Sequence, residues 1–151
     1  MHILLVEDEA PKRENIRSVI DQRFPDRTLH EARSVGSAIK ALRSQRFDLV
    51  LLDMSLPTFD IKVGESGGRP QGFGGVEVLR YMDRLSVIAP VIVVTAYPAF
   101  SQGDREIDLS ALSKSLASDH PDAFKGVVFY NSMFSTWREQ LHDAIEGALK
   151  L

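Results

Sequence analysis

Leu49-Val50-Leu51-Leu52-Asp53 decides the fold. Four apolar residues without polar alternation read as a strand covered on both faces, and the run closes on a carboxylate. The same grammar recurs along the chain. Ile3-Leu4-Leu5-Val6 runs into Glu7-Asp8, Val91-Ile92-Val93-Val94 into Thr95, and Val127-Val128-Phe129-Tyr130 into Asn131. Thr28-Leu29-His30-Glu31-Ala32 alternates apolar and polar residues instead, which suits an edge strand with one solvated face.

Helical spacings fill the intervals. Pro11 fits the first turn of a helix that buries Ile16, Val19 and Ile20. Val35, Ile39 and Leu42 form a second stripe. Val76, Leu79, Met82 and Leu85, after Gly75, form a third, and Ile107, Leu109, Leu112 and Leu116 a fourth. The last helix carries Trp137, Leu141, Ala144, Ile145 and Ala148, with Thr136 and Glu139 at capping-box spacing. Five strand–helix alternations predict an α/β fold: a doubly wound parallel sheet of five strands with helices on both faces.

The chain has 151 residues, enough for one domain over 1–151 with a core of its own. Hydrophobic residues make up 44% and charged residues 26%, which excludes a disordered chain. Eighteen basic against 21 acidic residues give a net charge of -3, so no nucleic-acid or anionic-membrane partner is expected. No secretory signal or membrane span is visible, and there is no Cys; a cytoplasmic protein is the expectation. Residues 64–75 hold six of the ten glycines. They belong to a Gly-rich loop insertion at about 58–75, and a second extended segment covers about 98–123.

In an open parallel sheet, ligands bind beyond the carboxyl ends of the strands. Glu7, Asp8, Asp53 and Thr95 all follow such ends. Each alone has an ordinary structural role: Asp8 as a cap, Asp53 as a turn, Thr95 as a strand terminus. Together they make an acidic pocket in which a hard divalent cation relieves carboxylate repulsion and keeps company with a phosphoryl group.

The stretches Ile3–Glu9, Phe47–Pro57, Val91–Ala96 and Gly75–Leu79 resemble the receiver domain of bacterial two-component response regulators, the CheY-like superfamily. The resemblance implies a flavodoxin-like sheet of order 2-1-3-4-5, and a stand-alone module signalling through protein contact. It implies Asp53 as phosphoacceptor from a histidine kinase or histidine phosphotransfer protein. Mg²⁺ (or Mn²⁺) would be held by Glu7, Asp8, Asp53 and the main-chain carbonyl of Ser55. Thr95 would bind the phosphoryl oxygens, and Ser55 and Tyr97 would tune hydrolysis. Activity would be limited to self-phosphorylation from a phosphodonor and autodephosphorylation. The output surface, with a homodimer as one use of it, would be the fourth helix, fifth strand and fifth helix, presenting Phe134 and the surroundings of Leu112 and Leu116 to an unidentified downstream protein.

One departure stands out. Receivers carry a Lys after the fifth strand that pairs with the phosphate; here Asn131 stands there, without charge. A replacement cation could come from the Gly-rich loop, through Lys62 or Arg69. The alternative is a pseudo-receiver that binds partners without phosphotransfer. A rival outside the family is a serine hydrolase built on Gly64-Glu65-Ser66-Gly67-Gly68 with His120 or His142 and Asp104 or Asp108. It lacks the helix that a nucleophile elbow requires after the serine.

Overall fold

The computed structural model describes residues 1–60, 74–96, 99–102 and 105–150, with the backbone alone for 99–102, 105 and 106. In chain order the elements are β1 (His2–Val6), α1 (Ala10–Arg23), β2 (Thr28–Ala32), α2 (Val35–Ser44), β3 (Leu49–Leu52) and α3 (Gly74–Arg84). They continue with β4 (Val91–Thr95), β5 (Ala99–Gln102), β6 (Arg105–Asp108), α4 (Leu109–Asp119), β7 (Phe124–Phe129) and α5 (Thr136–Leu149). The main sheet is parallel throughout, in the order β2-β1-β3-β4-β7. This is the expected 2-1-3-4-5 order, with β7 as the fifth strand because the antiparallel β5–β6 hairpin intervenes.

The strand runs are apolar throughout because successive residues serve different cores. Leu4, Val6, Val50, Leu52, Val91 and Val93 face α2, α3 and α4, where they meet Leu42, Leu79, Met82, Leu112 and Leu116. Ile3, Leu5, Leu49, Leu51, Ile92 and Val94 face α1 and α5, where they meet Ile16, Ile20, Trp137, Leu141 and Ile145. β2 forms an edge, as its alternation predicts, with only Ala32 fully buried.

Two boundaries differ from the expected ones. The fourth helix begins at Leu109, since the Asp108 side chain accepts the Ala111 N–H at 2.8 Å and caps it there; Ile107 therefore belongs to β6. Leu112 and Leu116 face the core, each 2% exposed, so the outer surface of α4 is made by other residues. Thr136 is already helical, behind Ser135 as N-cap, and no capping box forms; Glu139 pairs instead with Arg23.

The start of α3 is pressed against the end of β3. The Gly75 N–H donates to the Met54 carbonyl at 3.0 Å. A Cβ at Gly75 would lie 2.5 Å from the Asp53 carbonyl oxygen and 2.4 Å from Met54 Cε, and one at Gly74 2.7 Å from the Leu56 carbonyl oxygen. Gly75→Ala is expected to destabilise the domain by about 2 kcal/mol, since backbone must move to admit the methyl. Gly147→Ala in α5, with nothing within 4 Å, is expected to stabilise it by about 0.5–1 kcal/mol. Thermal denaturation of the two variants tests the contrast.

Candidate functional site

The strand ends are tied side by side. The Asp53 N–H donates to the Val6 carbonyl at 3.1 Å, the Glu7 N–H to the Ala32 carbonyl at 2.9 Å, and the Tyr130 N–H to the Thr95 carbonyl at 2.8 Å. Parallel pairing thus delivers Glu7, Asp8, Asp53 and Thr95 to the carboxyl edge of the sheet. One carboxylate oxygen from each of Glu7, Asp8 and Asp53 lies within 4.8 Å of the others. Glu7, Asp53 and Thr95 are 1%, 4% and 0% exposed, while Asp8 is half-buried. Arg13 secures the turn from below, its Nη1 donating to the Glu7 and Asp8 carbonyls at 3.2 and 3.3 Å.

A residue outside the expected set completes the cluster. Lys12, on the first turn of α1, is 2% exposed. Its Nζ lies 2.5 Å from Glu7 Oε2 and 3.3 Å from Asp53 Oδ1, and donates to the Val94 carbonyl at 2.9 Å. The sequence held a signal for this placement. Lys12 stands four residues before Ile16, on the stripe that continues to Val19 and Ile20, so the helix carries it inward.

Burial raises the pKa of Glu7, to about 8, against the opposing pull of Lys12 and with added repulsion from Asp53. Burial likewise raises Asp53, again opposed by Lys12 and reinforced by Asp8. The Lys12 ammonium is lowered by burial, but Asp53 and Glu7 together more than reverse this, so its pKa lies above the ordinary value. With all three carboxylates ionised, one ammonium leaves two negative charges uncompensated. All the donors are oxygen, a set that fits a hard dication such as Mg²⁺.

The other expected residues fall as follows. The Ser55 main-chain N–H favours the ionised form of the Asp53 carboxylate. Asn131 is turned to its own segment, Oδ1 accepting the Met133 N–H at 2.9 Å. Phe129 pairs with Thr95 across the β4–β7 ladder, and so is the aromatic beside it; Tyr130 points to the opposite core, its hydroxyl accepting from Asn15 Nδ2 at 2.8 Å. Tyr97, Lys62, Arg69, Ser66 and Asp104 lie outside the described residues. His120 Nδ1 sits 2.6 Å from Asp83 Oδ2, and Asp108 caps α4.

The raised pKa values fix a pH dependence. A carboxyl group with a folded-state pKa above its unfolded one binds its proton more tightly when folded, so stability falls as pH rises through that interval. For Glu7 the interval runs from 4.5 to about 8, and Asp53 acts in the same direction from 3.8 upward. Lys12, raised from 10.5, leaves this window unaffected. In chelator, Tm is therefore expected to be lower near pH 8 than near pH 5.5, with a shallower slope in Glu7→Gln; thermal scans across pH check this.

The response regulator receiver domain family matches residues 3–114. The chain is 28% identical over 143 residues to the Detocs response regulatory protein DtcB of Enterobacter cloacae (strain JD6301), an alignment covering 93% of this chain and 95% of that one. Among solved structures, a LuxR-family two-component response regulator from Aurantimonas sp. SI85-9A1 superposes with a TM-score of 0.66 at 25% identity, covering 99% of this chain and 84% of that one. The receiver domain of the sensor histidine kinase PA1611 from Pseudomonas aeruginosa PAO1, which carries a magnesium ion in its active-site cleft, superposes with a TM-score of 0.63 at 21% identity, covering 99% and 98%. The parallel sheet, the acidic strand ends and the match across most of the chain lead to one assignment: this protein belongs to the response regulator receiver domain family of two-component signalling.

Proposed function

We propose that this receiver accepts a phosphoryl group on Asp53 from the phosphohistidine of a histidine kinase or histidine phosphotransfer protein, and signals by protein contact. The observation that carries this is the position of Asp53: buried at the end of β3, within 4.8 Å of the Glu7 and Asp8 oxygens, with Lys12 3.3 Å away. In the transfer, an Asp53 carboxylate oxygen forms the bond to phosphorus as the nitrogen–phosphorus bond breaks, and the electron pair stays on the imidazole. Positioning and charge neutralisation are the chief requirements of such a step. Glu7, Asp8, Asp53 and the Ser55 carbonyl would hold Mg²⁺ (or Mn²⁺), which supplies neutralisation of the charge on the transferring group. Thr95, at the end of β4, would bind the phosphoryl oxygens. Ser55 and Tyr97, two residues beyond Asp53 and Thr95, would govern the approach of water to the acyl phosphate.

The output surface fits the α4–β7–α5 face. A groove there is lined by Ser110, Ser113, Gly126, Phe129, Gln140 and Ala144. Met133 and Phe134, on the segment leading into α5, are 82% and 66% exposed. A downstream protein or a second copy of the chain would dock on this face. Among the described residues no helix is long and apolar enough to cross a membrane.

A specific observation favours a second reading, the pseudo-receiver. The Lys12 ammonium lies 2.5 Å from Glu7, so a cation from the chain itself already compensates part of the cluster. Incubation with Mg²⁺ and acetyl phosphate followed by intact mass separates the two. The expected outcome is gain of one phosphoryl group, abolished in Asp53→Asn; no gain, with no response to beryllofluoride, supports the pseudo-receiver. Ser55→Ala is expected to change the lifetime of the acyl phosphate severalfold, measured by its decay after removal of the donor.

A further inference from the structure

We propose that Lys12 is the phosphate-binding residue of this receiver: from the first turn of α1 it holds the phosphoryl group on Asp53 and passes its arrival to the end of β4. The proposal rests on Asp53 as acceptor and adds the residue that replaces the lysine missing after β7. Lys12 has three N–H donors and three partners, each at the end of a different strand: Glu7 after β1, Asp53 after β3 and the Val94 carbonyl in β4. Among the described residues it is the one cation within ion-pairing distance of the Asp53 carboxylate.

The apolar stripe of α1 does not itself call for a charge at this position. Ile16, Val19 and Ile20 continue the same stripe, and an unbranched apolar side chain would fill the same space. Replacing a buried ion pair whole with well-packed apolar groups is often neutral or stabilising, so such a pair is weak evidence for a role in the fold; removing one partner alone exposes the others to repulsion, which Mg²⁺ offsets in the test below. The charge count points to a ligand instead. Ionised Glu7, Asp8 and Asp53 against Lys12 leave two negative charges, the complement of one dication. Phosphorylation replaces the single charge of Asp53 with nearly two and adds strong acceptor oxygens. Asn131 brings no charge to offset this, and its Oδ1 is engaged by the Met133 N–H.

The same geometry gives the group a means of reporting. The ammonium sits among three oxygens and its hydrogen bond goes to the Val94 carbonyl, so a phosphoryl oxygen that accepts from Nζ competes with that bond. The neutral Val94 carbonyl is the weakest competitor, because Glu7 and Asp53 carry a charge opposite to that of the ammonium. Its release acts on the peptide that leads into Thr95, whose carbonyl holds the Tyr130 N–H at 2.8 Å at the end of β7.

The test uses the ¹⁵N-labelled full chain, as wild type and Lys12→Met, with Mg²⁺ alone and then with beryllofluoride. In wild type, beryllofluoride should shift the Lys12 Nζ resonance and the Val94 and Thr95 amides. Lys12→Met should stay folded, gain phosphate from acetyl phosphate at least about tenfold more slowly, and lose the Val94 and Thr95 response. Wild-type rate and response in Lys12→Met would overturn the proposal, as would an unmoved Nζ in wild type once Asp53 is loaded. If Lys12→Met fails to fold, the wild-type Nζ resonance decides alone. Failure of the acceptor assignment looks different: wild type itself then takes neither beryllofluoride nor phosphate, and both inferences fall together.

Discussion

Two carboxylates buried at adjoining strand ends are the constraint on which the rest of the site depends. Glu7 and Asp53 follow β1 and β3, which are neighbours in the sheet, and the Asp53 N–H is bonded to the last carbonyl of β1. Parallel pairing leaves them no means of separating. Burial and mutual repulsion make their ionised forms unfavourable, and the domain must supply positive charge or hold protons. Lys12 meets part of that need from a helix that is otherwise core-forming at its inner face.

Charge compensation from α1 changes how the site is joined to the sheet. A cation held by Glu7, Asp53 and Val94 spans β1, β3 and β4 at once, three consecutive strands of the β2-β1-β3-β4-β7 order. The edge strand β7 is tied to the same rim by the Thr95–Phe129 register and by Tyr130 just beyond it, whose N–H bonds the Thr95 carbonyl and whose ring centroid lies 5.9 Å from the Lys12 ammonium. Side chains at its end divide between two faces: Tyr130, the residue after β7, joins the α1–α5 core against Trp137, while Phe129, 36% exposed, stays near Thr95 on the other.

Much of this was legible in the sequence, because unbroken apolar runs ending in polar residues encode both the buried strands and the rim where chemistry gathers. Leu49–Leu52 into Asp53 and Ile3–Val6 into Glu7 carry that signal without help from tertiary context. Helix boundaries were less legible. Periodicity alone joins Ile107 to Leu109, and only the Asp108 cap shows where the helix starts. Thr136 and Glu139 have the spacing of a cap but lie inside the helix. Lys12 escaped notice for a different reason. A lysine reads as solvated by residue type, and its burial follows from the helical phase of Ile16 and Ile20 together with the acidic rim opposite.

The loop between β3 and α3 is pinned at both mouths. On one side Ser34 Oγ donates to Asp60 Oδ1 at 2.5 Å, and the Pro57 and Thr58 carbonyls accept the Val35 and Gly36 N–H groups. On the other, Gly74 and Gly75 sit so close to Leu56 and Asp53 that no side chain fits between. With the distance between its anchors set by the scaffold, chain added there carries a closure entropy that grows only with the logarithm of its length. An insertion can therefore lengthen or shorten beside Asp53 while the geometry of that residue stays the same, which makes this the place where a receiver can acquire new sequence without disturbing the acidic rim.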